Sequence, residues 1–346
     1  MLLQQMKFVL FSVLATIVAG MSPVLYAQNT ETQDVQNTLR RVQSAAQKLN
    51  YSGTFIYQQA NQIRTSRITH RVDAHGEVEK LEILDGIPRE YLRRNDEVTC
   101  YLPEIKTIQI EKNVTQEVFP ALLTSNTQSL AESYIIRKEE FSRVAGAACL
   151  TLSFEPKDTM RYGYRLCLEN TSGLLLRAQT VNAKNEVIEQ IAFTQIDIGD
   201  IDKSRLKPSF QNTTDWQVEN LMVQANVNSG WNVKFLPSGF KKTREMKRVI
   251  PISMVGNGVD GQSKSHQTKP HQTKPHQVIQ MIFSDGLSTI SVFIEPDTGS
   301  RTEGGLQQGA MTIMGKRQGN FWLTVVGEVP FAAIKQVMNS IEFKSK

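Results

Sequence analysis

The chain has 346 residues, with 39 Lys and Arg against 34 Asp and Glu, a formal charge of +5 and an apolar fraction of 40%. Such a length supports two domains, each able to bury a core. The basic excess is too small and too evenly spread for a nucleic-acid surface, because Lys7 lies in an apolar leader and Lys264, Lys269 and Lys274 stand against Asp260 in a polar segment.

Lys7 precedes an apolar run over residues 8–20 that is too short to span a bilayer comfortably. This pattern predicts a signal peptide over residues 1–27, with Ala27 as the small residue before the cleaved bond, although Leu25 is large for its position. An uncleaved anchor is the alternative, and both readings place the remainder outside the cytoplasm. Residues 31–50 carry Val35, Leu39, Val42, Ala46 and Leu49 at spacings of three and four, which predicts a one-sided helix lying on a sheet.

The pattern then turns to short β-rich runs at 51–58, 63–72, 78–84, 89–94, 98–102 and 105–110. Asn61, Ala74-His75-Gly76, Asp85-Gly86, Asn95-Asp96 and Pro103 punctuate them, which predicts an antiparallel meander. A helical interval is expected over 119–140, followed by strands at 143–154, 162–169, 174–182 and 187–198. The fold class is therefore α+β and mostly β: a large curved antiparallel sheet with covering helices over residues 28–205, and a smaller α/β domain over 216–346. The polar stretch 203–215 supplies a linker at 206–215. In the second domain, strands are expected at 231–236, 277–283, 289–295, 309–316 and 320–326. A last helix starts at Pro330 and carries Phe331, Ile334, Val337, Met338 and Ile341 on one face. Residues 256–277 repeat His-Gln-Thr-Lys-Pro and have nothing apolar to bury, so they read as a disordered insertion.

Catalytic chemistry finds little support. Of five histidines, His266, His271 and His276 lie in the repeat, His75 sits in a hairpin turn, and His70 lies in a polar strand and reads as a surface or edge residue. The repeat histidines can gather a transition metal only weakly, without a rigid surround. No Walker loop, dinucleotide fingerprint, G-x-S-x-G elbow or H-E-x-x-H is present, and Glu139-Glu140 reads as a solvated helix face. The chain is expected to be a binding protein with no catalytic residue, metal or cofactor. Cys149 and Cys167 flank a hairpin. Setting Leu150, Leu152 and Phe154 opposite Leu166, Tyr164 and Tyr162 puts the two thiols face to face, whereas a two-residue slip keeps the apolar faces aligned and separates them. A Cys149–Cys167 disulfide and two free thiols both stay open, and Cys100 is left over.

Several stretches together resemble one known family. They are Tyr51-Ser52-Gly53-Thr54-Phe55; Arg161-Tyr162-Gly163-Tyr164-Arg165-Leu166 with Thr171-Ser172-Gly173-Leu174-Leu175; Trp231 with Leu236-Pro237-Ser238-Gly239-Phe240; Ser284-Asp285-Gly286-Leu287; and Val326-Gly327-Glu328-Val329-Pro330. In order and spacing they are similar to the periplasmic sigma-E regulators RseB and MucB, and the repeat insertion departs from that pattern. The resemblance implies a first domain shaped like the lipoprotein carriers, a half-barrel with an apolar cavity. It also implies a periplasmic location and a partner, the periplasmic part of a membrane anti-sigma factor such as RseA or MucA, shielded from the site-one protease. A lipid or lipoprotein acyl ligand would release that partner, and the envelope-stress sigma factor with it. Phe55, Tyr57, Ile68, Ile83 and Tyr91 are the candidates to line the cavity, against the reading that each is ordinary core beneath a helix. A periplasmic lipid or lipoprotein carrier using the same cavity is the rival function, and a homodimer is left open.

Overall fold

The computed structural model describes residues 23–112, 119–123, 129–210, 212–221, 223–250 and 276–344. Helix α1 (Pro23–Lys48) leads into the meander β1 (Tyr51–Gln59), β2 (Gln62–Asp73), β3 (Gly76–Ile83), β4 (Arg89–Arg94), β5 (Glu97–Leu102) and β6 (Thr107–Glu111). A short helix α2 (Leu130–Ser133) precedes a second run, β7 (Tyr134–Val144), β8 (Ala147–Pro156), β9 (Gly163–Glu169), β10 (Leu175–Val181) and β11 (Val187–Ile198). The last strand of this run pairs back onto the first strand of the meander, Tyr51 opposite Ile198, which gives one open sheet in the order β6-β5-β4-β3-β2-β1-β11-β10-β9-β8-β7.

The helix lies on one face of this sheet because its apolar stripe has somewhere to go. Val35, Leu39 and Val42 are buried in one cluster with Tyr51, Phe55, Ile68, Leu152, Phe154, Leu166 and Phe193. Gly53 is required beneath them, since a Cβ there would stand 2.7 Å from the Phe193 ring. Residues 1–22 of the expected signal peptide lie outside the described residues. Among the described residues no helix is long and apolar enough to cross a membrane.

The second sheet contains β13 (Val223–Ala225), β15 (Lys241–Ile250), β16 (His276–Ser284), β17 (Thr289–Pro296), β20 (Phe321–Gly327), β19 (Met311–Gln318) and β18 (Gly304–Gln308), in that spatial order. Strands β14 (Trp231–Val233) and β21 (Ile341–Phe343) form a separate pair. Helix α3 (Phe331–Asn339) buries Ala333, Ile334, Val337 and Met338 in the core of this half. Most of the expected insertion, residues 256–275, lies outside the described residues, while His276 and Gln277 open β16.

Several expectations need correction. The interval expected to be helical is strand from Tyr134 onward, because the Tyr-Ile-Ile run pairs with β8. Glu139-Glu140 accordingly sits at a register shift in an edge strand rather than on a helix. The strand expected over 143–154 is broken by a hairpin turn at Ala145-Gly146, both at positive φ. Residues 217–221, assigned by sequence to the second domain, form β12 (Gln217–Leu221), which extends the first sheet by running parallel to β6. The stretch leading to it is docked rather than loose: Phe210 and Trp216 pack on Tyr101 and on each other, and Glu90 accepts the amide of Ser209 at 3.1 Å.

The β8–β9 register is shifted by two from the expected one, with Leu152 opposite Leu166 and Phe154 opposite Tyr164. Arg161 and Tyr162 are drawn off the ladder toward the second sheet, which lengthens the connection. Cys149 therefore opposes Glu169, and Cys167 is its diagonal neighbour on the same face. Their Cα atoms are 5.5 Å apart and the two are joined by a disulfide. The bond closes a loop of 18 residues, for which chain entropy gives about 3 kcal/mol of stabilisation. Replacing both cysteines with alanine should lower the unfolding free energy by about that much in urea titrations. An unchanged midpoint would show the bond to be energetically idle.

Candidate functional site

Backbone register puts all five candidate cavity residues on one face of the large sheet. Phe55 opposes Ser66, which opposes Ile83; Ile68 opposes Leu81, which opposes Tyr91; and Tyr57 follows Phe55 by two. The structure then divides them. Phe55 and Ile68 are buried in the core, with the Phe55 ring 5.4 Å from Phe119 and 5.9 Å from Phe193. Tyr57, Ile83 and Tyr91 are half-buried and form the accessible part of the same face. Tyr91 opposes Cys100, whose thiol burial pushes upward in pKa.

The same face carries a charged network around His70, which the polar strand pattern had placed at a surface or edge. His70 is fully buried, stacked on Tyr51 at 4.7 Å between ring centroids, with Nδ1 2.7 Å from the Leu49 carbonyl at the end of α1 and Nε2 2.6 Å from Glu77. It was hidden because a polar strand abuts the end of a helix only in three dimensions. Arg93 donates to Glu77 at 2.6 Å and to Glu79 at 3.4 Å. Burial pushes the Glu77 carboxyl up, but the hydrogen bonds from His70 and Arg93 outweigh it and hold the pKa at about 2. Ligand atoms of His70, Glu77 and Glu79 lie within 4.8 Å of one another. Arg93 nevertheless occupies both carboxylates, so the arrangement is an ion-pair network and not a metal centre.

The two sheets meet at a buried polar junction. Arg161, on the β8–β9 connection, donates to Asp285, on the β16–β17 turn, at 2.6 Å, and neither side chain has any exposure. Its guanidinium is held between the rings of Tyr134 from the first half and Phe240 from the second, 5.4 Å from each. Asp158 takes a second bond at 3.0 Å, and the Ser238 carbonyl takes a third. Asp285 also accepts from the Tyr134 hydroxyl at 3.0 Å and from the Leu287 and Ser288 amides at 3.0 and 2.8 Å. Burial alone would lower the Arg161 pKa, but the Asp158 hydrogen bond and the Asp285 charge keep it above its ordinary value. Tyr164 shares a hydrogen bond of 2.8 Å with Ser288, and Gln307 donates to Tyr162 at 2.7 Å. Gly239 closes the contact at φ +81, where a Cβ would lie 2.4 Å from Ser133 Oγ.

A second seam lies beside the accessible aromatic face. Gln59 donates to Glu189 at 3.3 Å and to the Gln308 carbonyl at 2.9 Å, and Tyr57 is hydrogen-bonded to Glu189. Burial raises the Glu189 pKa against these bonds. Across the seam, burial and then the Glu189 charge push Glu328 up to about 7. A half-buried aromatic on the candidate face is thus coupled through one carboxylate to the second sheet.

Residues 34–210 match the model of the MucB/RseB N-terminal domain, and residues 225–342 match that of the MucB/RseB C-terminal domain. The chain belongs to the MucB/RseB family. The regulatory protein MucB of sigma factor AlgU from Pseudomonas aeruginosa is 29% identical over 319 residues, covering 90% of this chain and 92% of that relative. The sigma-E factor regulatory protein RseB from Escherichia coli K12 is 23% identical over 325 residues, with 92% and 94% coverage. A crystal structure of MucB in complex with MucA(peri) superimposes with a TM-score of 0.64 at 27% identity, covering 90% of this chain and 99% of that one. The complex structure of Pseudomonas aeruginosa MucA/MucB gives 0.67 at 27% identity, with 90% and 100% coverage. MucB/RseB proteins are regulatory binding proteins, not enzymes.

Four of the stretches that carry the MucB/RseB resemblance meet where the two sheets face each other, at the junction and the second seam. Arg161, Tyr162 and Tyr164 come from one, Ser238, Gly239 and Phe240 from another, Asp285 from a third, and Glu328 from the last. Their roles were missed because pairing between the two halves has no sequence period, although membership of those stretches was the available signal. Asp285→Ala would strip a fully buried guanidinium of its closest carboxylate, a loss worth about 3 kcal/mol. The double variant Arg161→Met with Asp285→Leu should recover only part of it, because Tyr134, Asp158 and the Leu287 and Ser288 amides also lose a partner, and urea unfolding of the three proteins provides the check. Glu328 titrates near 4.5 when unfolded and near 7 when folded, so the folded chain holds the extra proton between these values. Stability therefore falls as pH rises through that window, by about 3 kcal/mol at most. In Glu328→Gln this slope should flatten, as thermal unfolding at pH 5 and pH 8 would read.

Proposed function

We propose that this chain is a periplasmic negative regulator of an envelope-stress sigma factor. It binds the periplasmic part of a membrane anti-sigma factor, keeps that partner from site-one proteolysis, and lets go when a lipid-like or lipoprotein acyl group binds. The observation that carries this reading is likeness across both sheets, over 90% of the chain, to MucB solved in complex with MucA(peri). A carrier needs only a cavity, whereas the second half here has its own core and a specific polar junction with the first. That favours regulation over transport.

The acyl ligand is assigned to the face bearing Tyr57, Ile83 and Tyr91, which has partly accessible apolar side chains over a packed wall. Tyr57 there touches Glu189 at the seam with the second sheet, so an occupant displacing it changes the packing between the halves. A ligand releases a partner only if it binds the partner-free state more tightly, and the coupling is reciprocal. Saturating anti-sigma fragment should therefore weaken binding of a lipidated peptide about 5- to 100-fold in calorimetric titrations. Equal affinities with and without the fragment would rule out ligand-driven release, and failure to bind the fragment at all would refute the regulatory reading.

A further inference from the structure

The face of the large sheet opposite the aromatic residues is built differently. Register aligns two rows across four strands: Asp197, Ser52, Thr69 and Lys80 in one, and Gln195, Thr54, Arg67 and Glu82 in the other. Residues 204–209 cross above these rows and border a half-open cavity of about 570 Å³, to which Ser204, Arg205, Lys207 and Ser209 contribute. That volume lies within the range of small-molecule sites.

The bordering segment is held in place from below. Lys80 is buried and donates to the Lys207 carbonyl and to Ser209 Oγ, both at 2.9 Å, while pairing with Glu90 at 3.1 Å. Lys80 is thereby committed to structure. Arg205 and Lys207 are exposed on the segment, and their charges, behind hydrogen bonds from Ser204, help lower the pKa of the neighbouring exposed Asp202. Arg67 reaches Glu82 only at 3.9 Å. Four cations line the cavity against two carboxylates, and hydroxyls or amides fill most of the remaining positions. None of the exposed large apolar side chains lines it, so nothing at its mouth would seat an acyl chain.

We propose that this cavity is a second binding site, separate from the aromatic face, for a small soluble hydroxylated anion of the phosphate-monoester class. Arg205, Lys207 and Arg67 meet the anionic group, whereas Ser204, Thr54, Asp197 and Glu82 exchange hydrogen bonds with ligand hydroxyls. A phosphate ester rather than a simple carboxylate fits three cations lining one cavity, because it presents three acceptor oxygens.

Amide nitrogen–proton spectra of the full mature chain, titrated with glycerol 3-phosphate and with inorganic phosphate against sodium chloride at equal ionic strength, test this. The expected result is a saturable shift confined to residues 204–209 and the facing positions of β1 and β2. Arg205→Gln with Lys207→Gln should weaken it at least tenfold, and Lys184→Gln, on a distant exposed turn, should leave it unchanged. Both substituted residues are exposed, so the fold is retained. Shifts of equal size with chloride, shifts indifferent to the double substitution, or binding seen only with phosphatidylglycerol vesicles would each overturn the proposal. Loss of anti-sigma binding would not affect it, since the proposal rests on the lining of this cavity and not on the regulatory reading.

Discussion

A guanidinium with no access to water must find all its partners inside the protein, and Arg161 finds them on both sides of the boundary between the sheets. Transferring such a charge from water costs several kcal/mol, and excellent geometry is needed merely to offset it. The pair with Asp285 therefore contributes orientation more than net stability. Its geometry is satisfied only when the β16–β17 turn sits against the β8–β9 connection. Around it the cores interlock, with Leu287 packing into the first cluster and Met160 into the second. The relative position of the halves is thus specified by directional polar contacts beside a small apolar interlock.

This division of labour extends to the large sheet. One face is apolar at its centre, covered by α1, and grades through half-buried aromatics to the seam with the second half. The other is polar, crossed by the segment that leads to β12, and anchored through Lys80 and Glu90. Alternation along strands of period two generates both faces from the same residues: Ser52 and Thr54 point one way, and Gly53 and Phe55 the other.

Local pattern made much of this legible. The stripe of Val35, Leu39 and Val42 marked α1 and the turn-formers marked the meander, whereas the shared face of Phe55, Tyr57, Ile68, Ile83 and Tyr91 emerges only from the register of β1 to β4. What escaped was whatever depends on a distant partner. His70 looked exposed because its strand is polar, yet Leu49, Tyr51 and Glu77 enclose it. The register of β8 and β9 slipped by two because Arg161 and Tyr162 are engaged elsewhere. Residues 217–221 read as the start of a new domain although they complete the older sheet through β6. Period and composition report on an element's own face, and they carry no information about which other element meets it.

The pairing of β1 with β11 has a consequence for how the molecule must assemble. Tyr51 cannot find Ile198 until almost the whole first half of the chain is present, and this pair lies in the middle of the sheet rather than at its rim. The meander can form early from local hairpins, but one side of β1 then stays unpaired, with its amides and carbonyls open to strands of other chains. Such long-separation contacts slow folding and prolong the lifetime of aggregation-prone intermediates. A chain that crosses a membrane unfolded, amino end first, would expose that edge for as long as translocation of the next hundred and forty or so residues takes. The same strand that holds the finished sheet together is the point at which an unfinished one is most vulnerable.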